Sequence, residues 1–324
     1  MRSSHAGRDR LLRIPGLALA LLVGAAIVGC GEERVSVPVE VATLEPVGEA
    51  DFAVADRVRT IDPLFVDSRA ERMVARQIFE PLVSRQKGPF GETRVRDGIA
   101  RSIGPTGDGR TWVARLRPGV RFTNGSPVDA EAVTLNAVRW IADPAGQRRL
   151  PALTAAFSPR PGLVRFVLSE PDPRFAERLG DGRFGLVAPA ALERADGEPV
   201  GFGAAGAGPF ELRLAERERD RVLLARNLDW WGTPVGLGPG VDTLEFETVP
   251  LSAARADRLL EGQVVVADQL DSLGLVEVAA QPLTVTVGTA RDRSAAMGLE
   301  RSVRGITETS ADQSLADVWL TTLR

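Results

Sequence analysis

Little of the usual catalytic side-chain chemistry is available to this 324-residue chain: its only His is His5, its only Cys is Cys30, and Tyr is absent. Everything after Cys30 therefore lacks a Ser-His-Asp triad, a thiolate nucleophile, and an imidazole or thiolate set for a transition metal. Carboxylates are left as acids and bases. The 43 Asp and Glu are interspersed with 40 basic residues, of which only Lys87 is Lys, a pattern of solvated, ion-paired surface and not of a catalytic dyad. No enzyme activity, metal or cofactor is expected. One cofactor motif occurs formally, since Gly201-Phe202-Gly203-Ala204-Ala205-Gly206 fits G-x-G-x-x-G. A dinucleotide loop must follow a strand and open a helix, whereas this one runs into Pro209, Phe210, Leu212 and Leu214, a strand alternation.

Three short groups have the chemistry to hold a small solute. Asp67 offers a carboxylate to an amine and Ser68 a hydroxyl, beside the ring of Phe65; both polar residues are equally good helix caps. Gly206, Ala207 and Gly208 permit close backbone approach, either to a ligand or within a turn. Trp230 and Trp231 combine apolar area with a donor, so they either line a groove or fill a core.

The elements that must position these groups are clearest in residues 108–143. Trp112, Ala114 and Leu116 alternate with Thr111, Arg115 and Arg117, the two-residue period of a half-buried strand. Pro118-Gly119 turns the chain, Val120 and Phe122 restart the alternation, and Asn124-Gly125 supplies a second turn. Asp129 is an N-cap for a helix with Val133, Ala137, Trp140 and Ile141 on one face, which Pro144 stops. Elsewhere, 51–58 opens a first sheet and 69–83 reads as a helix with Met73, Gln77 and Ile78 aligned. Residues 163–168 read as a strand, 175–179 as a short helix, 216–221 as the charged turn of a hairpin, 241–249 as a strand, and 253–260 as a helix ending at Gly262. Residues 278–286 look β-like and 315–323 helical.

At the N-terminus an Arg-bearing segment precedes an apolar run, 14–28, too short to span a bilayer, which reads as an export signal over 1–29. Its end, Ile27-Val28-Gly29-Cys30, is similar to the lipobox of bacterial lipoproteins, in which the Cys is acylated. Residues 30–50, without a sustained period, suit a tether. Without residues 1–29, which hold four Arg against Asp9, the formal charge moves from −3 to −6. A mildly acidic body argues against nucleic-acid binding.

The order of elements in 108–143, with DG-x-T-aromatic, LR-x-GV-x-F, a G-x-P turn and A-E-x-V opening a helix, resembles the family 5 extracellular solute-binding proteins. These are the oligopeptide, dipeptide and nickel receptors of ABC importers. Other matches follow in register. Thr60-Ile61-Asp62-Pro63 is similar to the family's L-D-P, and Ile78-Phe79-Glu80-Pro81-Leu82-Val83 to its Y-E-x-L-V, with Phe79 for Tyr. Leu186-Val187-Ala188-Pro189 resembles its short strand leaving the small subdomain. Gly206-Ala207-Gly208-Pro209-Phe210 resembles G-T-G-P-[YF], with Ala207 for Thr, and Arg226-Asn227-Leu228-Asp229-Trp230-Trp231-Gly232 resembles R-N-x-x-Y-W-G, with Trp230 for Tyr.

The resemblance implies a mixed α/β fold of the type II periplasmic-binding-protein kind. Lobe I would comprise 51–95 and 200–324, and a small α+β subdomain 96–199. In the family a second large lobe follows; the 54 residues after Leu270 are too few for one, so it is expected to be lacking. The implied function is a lipid-anchored, monomeric substrate-binding component of an ABC importer for oligopeptides or related solutes. It would work with permease subunits on the extracytoplasmic face of the membrane. Phe65, Asp67, Ser68, Gly206, Ala207, Gly208, Trp230 and Trp231 are the expected ligand residues, and Cys30 the lipidation site. The competing reading is an envelope lipoprotein that uses the lobe as a protein-interaction scaffold.

Overall fold

The computed structural model describes residues 48–87, 92–195, 197–216, 220–237 and 239–271. The expected export signal and tether, Cys30, and the segments 278–286 and 315–323 lie outside them. In chain order the elements begin with β1 (Glu49–Val54), α1 (Arg69–Ile78), β2 (Val83–Lys87), β3 (Thr93–Asp97), β4 (Ala100–Thr106) and β5 (Thr111–Leu116). The next are α2 (Ala130–Ala142), α3 (Pro144–Arg149), β6 (Leu153–Arg160), β7 (Leu163–Leu168), α4 (Phe175–Leu179) and α5 (Pro189–Ala195). Last come β8 (Phe210–Glu216), β9 (Arg221–Arg226), β10 (Thr243–Thr248), α6 (Ser252–Leu260) and β11 (Val266–Ala267).

Among the described residues these strands form a five-stranded sheet in the order β11-β1-β10-β9-β8, a four-stranded sheet β4-β5-β7-β6, and the two-stranded β2-β3 ribbon. The larger sheet is mixed: β1 runs parallel to β10 and β11, whereas β9 is antiparallel to β10 and β8. Its apolar side-chain set, Phe52, Val54, Leu244, Phe246, Val222 and Leu224, packs with Val74, Ala75, Ile78 and Phe79 in one buried cluster. Phe52 and Phe246, paired in register, stack at 4.7 Å between ring centroids. The smaller sheet puts Trp112, Ala114, Leu116, Val164 and Phe166 against Val133, Ala137 and Trp140 of α2 in a second cluster. Leu64, Leu82 and Ala207 from segments flanking the larger sheet also enter that second cluster, so the two cores meet along shared loops.

Local chemistry explains most element ends. Asp129 caps α2 through a hydrogen bond from Ala132 N at 2.9 Å, and Gly125 takes φ +82 in its turn. Four expectations change. The helix expected over 69–83 stops at Ile78, because Phe79 is extended (φ −114, ψ 107) and Pro81 disfavours a helical Glu80. Pro144 does stop α2, yet it also opens α3, since its missing N–H costs nothing at the first helical position and Asp143 caps the new helix. Pro189 likewise opens α5, leaving the strand expected before it as a single bridge between Val187 and Gly206. The restarted alternation at Val120 and Phe122 is also reduced to one bridge, Arg121 with Pro127.

Candidate functional site

Open α/β sheets present ligands at the carboxyl ends of their strands, and here the segment leaving β1 crosses that end before α1 begins. Asp62 organises it. Its carboxylate is fully buried, accepts hydrogen bonds from Leu64 N (3.1 Å) and Val200 N (2.6 Å), and pairs with Arg139 of α2 at 2.5 Å. The Arg139 guanidinium also stands over the Phe65 ring, 5.3 Å from its centroid. Phe65 is thereby held half-buried, and Asp67 after it is exposed.

Ser68 is the N-cap of α1. Its hydroxyl accepts from Glu71 N, and Glu71 accepts in return from the backbone N–H groups of Ser68 and Asp67, a complete capping box. Glu71 also accepts from Arg59 N at 3.1 Å. Ser68 therefore fixes the end of the loop, while Phe65 packs against the core around α2 and Asp67 is exposed. Beside the loop, at the same end of β1 and β10, a cleft of about 310 Å³ is lined by Arg57, Val58, Arg59, Phe202, Asp220 and Val222 among others. Arg57 pairs with Asp220 across it at 2.5 Å.

Gly206, Ala207 and Gly208 sit at a backbone crossing. Gly208 N donates to Ile78 O at 2.8 Å, and a Cβ on Gly206 would lie 2.0 Å from that same oxygen. A Cβ on Gly208 would lie 2.4 Å from Gln77 O, and Ala207 is buried. The requirement for small residues here is close approach to the end of α1. Trp230 and Trp231 direct both indole N–H groups at Glu80, at 2.7 Å and 2.9 Å, and Arg117 stacks on Trp231 at 4.4 Å from its centroid. Trp230 is 5% exposed, so it fills space; Trp231 is half-buried. The contacts of these two groups run to the end of α1 and Glu80, and also to Val187, Thr123 and Arg117, whereas Phe65 meets Arg139 of α2.

A basic cluster escaped sequence reasoning. Asp181, in the turn after α4, is approached by Arg85 at 3.3 Å, Arg183 at 3.8 Å and Arg76 at 3.9 Å. Burial pushes the Asp181 carboxyl up, but the Arg183 backbone N–H and the charges of Arg85, Arg76 and Arg183 outweigh it and hold the group below its usual value. Arg149, at the end of α3, lies close enough to feel Arg183, Asp181 and Asp67, and burial followed by the Arg183 charge pushes it down from its ordinary value. The signal available in sequence was Gly180-Asp181-Gly182-Arg183, an acid flanked by the two smallest residues. Among the described residues no group of His, Cys, Asp or Glu is arranged to hold a metal, and no helix is long and apolar enough to cross a membrane.

Comparison with known proteins agrees with this architecture. The glutathione-binding protein GsiB of Escherichia coli O1:K1 / APEC is 28% identical over 225 residues, 68% of this chain and 42% of the relative. GsiB of Escherichia coli strain K12 is 28% identical over 221 residues, 66% and 41% respectively. The chain thus spans about two fifths of the length of these curated relatives. Among solved structures, the periplasmic binding protein AgaA of A. tumefacien R10 with agropinic acid superposes with a TM-score of 0.64 at 22% identity, over 72% of this chain and 46% of AgaA. DppA of Helicobacter pylori with the peptide STSA gives 0.61 at 20% identity, over 72% and 49%. At such identities these likenesses speak for the fold, which is that of the type II periplasmic binding proteins. The model of the bacterial extracellular solute-binding proteins, family 5 Middle, matches residues 94–303, about two thirds of the chain and inclusive of the signature strand, turn and helix. Because that match covers more than half of the sequence, the chain belongs to the family 5 bacterial extracellular solute-binding proteins.

Proposed function

We propose that this protein is the substrate-binding component of an ABC importer for peptides or related small solutes, held on the extracytoplasmic face of the membrane by a lipid on Cys30. Family membership over residues 94–303 is the observation that carries the reading. On this view lobe I comprises 51–95 and 200 onward, and 96–199 is the small subdomain. The solute rests against the loop between Asp62 and α1, with the Phe65 ring and the exposed Asp67 carboxylate facing it. Ser68 frames that loop. Gly206, Ala207, Gly208, Trp230 and Trp231 fix the crossing and the groove wall behind it. No catalysis is assigned: the relatives are binding proteins by name, and the body of the chain lacks His, Cys and Tyr.

Ligand binding to the folded state raises its stability by mass action, so a peptide pool should raise the melting temperature of the purified chain. No shift with any peptide, nor with glutathione, would overturn the receptor reading. Cys30→Ser should move the protein from the membrane fraction to the soluble fraction in cells; an unchanged distribution counts against the lipid anchor. Crosslinking in cells should recover permease subunits, and recovery of an unrelated envelope protein instead would favour the scaffold reading.

A further inference from the structure

We infer that the outer face of the four-stranded sheet docks on an anionic lipid surface, its arginines meeting phosphate headgroups and its apolar side chains resting at headgroup depth. This goes beyond the receptor reading and draws on it only for the lipid at Cys30, which brings the face near a bilayer. Strand alternation places Trp112, Ala114, Leu116, Val164 and Phe166 on the inner side, against α2. The residues between them point the other way. Register sets those residues out in rows across the sheet. In one row Val113 pairs with Arg165 and Arg165 with Phe157; in the next, Arg115 pairs with Leu163 and Leu163 with Arg160. A third row sets Val167 between Thr111 and Ala155. Apolar and guanidinium positions therefore adjoin one another, and no carboxylate stands among them. Phe157 is 41% exposed, with the Arg165 guanidinium over its ring at 5.6 Å from the centroid.

The lack of acid sets this face apart from the rest of the surface. Arg57, Arg178, Arg221 and Arg258 each have a carboxylate partner, whereas among the described residues Arg115 and Arg165 have none. A guanidinium matches a phosphate bidentately, and a bilayer offers phosphates at any spacing, so the rows need no partner of matching shape. The stems of the arginines and the Phe157 ring cover apolar surface while the charged heads reach outward. Size decides against a protein as the occupant. Four strands about 4.8 Å apart and about five residues long make a face of about 300 Å². A stable protein interface buries about 800 Å² on each partner. A lipid surface needs no such area when a covalent anchor makes the contact intramolecular. A lipid on Cys30 keeps the start of β1 within about 65 Å of the bilayer even with the intervening chain fully extended. The whole chain has a formal net charge of −3, so anionic headgroups repel its acidic sides and favour the orientation that turns an acid-free face toward them.

The test is cosedimentation of the purified full chain with vesicles of phosphatidylcholine alone and of equal parts phosphatidylglycerol and phosphatidylcholine. It compares the wild type with the double variant Arg115→Gln/Arg165→Gln, with Phe157→Ser, and with Arg213→Gln on the larger sheet as a control. Residues 1–29 carry arginines and an apolar run of their own, but they contribute equally to every variant, so the ratio of wild type to variant is what decides. A guanidinium at an anionic surface is worth about fivefold in partitioning, so the double variant should bind the mixed vesicles about tenfold or more weakly than the wild type. High salt should close that gap, and phosphatidylcholine vesicles should show none. Phe157→Ser should also bind the mixed vesicles more weakly, and Arg213→Gln as the wild type does. All four positions are exposed, so the variants should keep the thermal unfolding of the wild type. Should the double variant unfold, the two single variants take its place, each expected to lose about fivefold. A double variant that binds the mixed vesicles as the wild type does overturns the lipid face and leaves the receptor reading, tested by solute-dependent melting, intact. An equal loss on both kinds of vesicle overturns it as well, since headgroup charge would then play no part. Self-association of the wild type in sedimentation velocity, abolished in the double variant, would make a second copy the occupant and overturn the lipid.

Discussion

Single charges in this protein are placed where they cannot be removed cheaply, and Asp62 is the plainest case. Substitution by Ala would leave Arg139, whose side chain is 13% exposed, without its carboxylate, and would free Leu64 N and Val200 N inside the core. Breaking a buried pair from one side costs about 3 kcal/mol. Asp62→Ala should lower the unfolding free energy in urea by that order; a loss under about 1 kcal/mol would mean that Arg139 is re-solvated and that the pair does not set the loop. Asp181 gives a prediction in pH. Its carboxyl is held below the unfolded value of 3.8, so its contribution is fully present above that pH and fades as pH falls through the lower folded value. Wild type should therefore be more stable than Asp181→Asn at pH 7, with the difference shrinking below pH 3.8. A difference that stays constant through acid would show that the arginines do not act on Asp181 as a charge.

Among the elements, the crossing of residues 206–208 over α1 is the tightest join. Ile78 O accepts from Gly208 N and sits where a Cβ on Gly206 would fall, so the clash is with backbone that is itself fixed by hydrogen bonding. Gly206→Ala should cost about 3 kcal/mol through overpacking, measured by urea denaturation with an unchanged m-value. A neutral effect would show that α1 can slide. The glycines were legible in sequence as a place of close approach, though what they approach was not, because Ile78 lies in another element. The same division runs through the fold. β5, α2 and β7 announce themselves by alternation, caps and helical spacing, all short-range signals. β6 does not, since Ala155, Ala156, Ser158 and Pro159 carry no strand preference and its place is set by pairing with β7. β3, exposed along its whole length, has no buried face to mark it. Both prolines that open helices read first as breakers, because the same ring serves either purpose. At the site, Phe65 and Asp67 could be named because they follow a recognisable Asp-Pro. The arginines around Asp181 could not, being brought together from four separate elements.

On the scale of the whole molecule, the two larger of three cores among the described residues must unfold together or apart, and a few polar ties between them decide which. Trp112 and Trp140 lie in one core, Phe52 and Phe246 in the other. The ties include Asp62 to Arg139, Arg76 to Asp181, the two indoles to Glu80, and Asn136. Asn136, 1% exposed on α2, donates from Nδ2 to Val187 O at 2.9 Å and accepts from Val187 N at 3.0 Å, behaving as a strand partner mounted on a helix. Val187 belongs to the core of the larger sheet, so this pair crosses from one core to the other. It also bridges to Gly206, which puts the crossing at residues 206–208 one step from the signature helix. Asn136→Ala would strand a buried N–H and a buried C=O, at a cost of about 2 kcal/mol. It should do more than lower stability. In the wild type, near-UV circular dichroism, which reports on Trp112 and Trp140 among other aromatics, and far-UV circular dichroism should follow one urea transition. In Asn136→Ala the two should separate, because the larger sheet loses a hold on α2 and the smaller sheet while each keeps its own apolar packing. Coincident transitions in the variant would instead show that the interleaved Leu64, Leu82 and Ala207 couple the cores by packing alone.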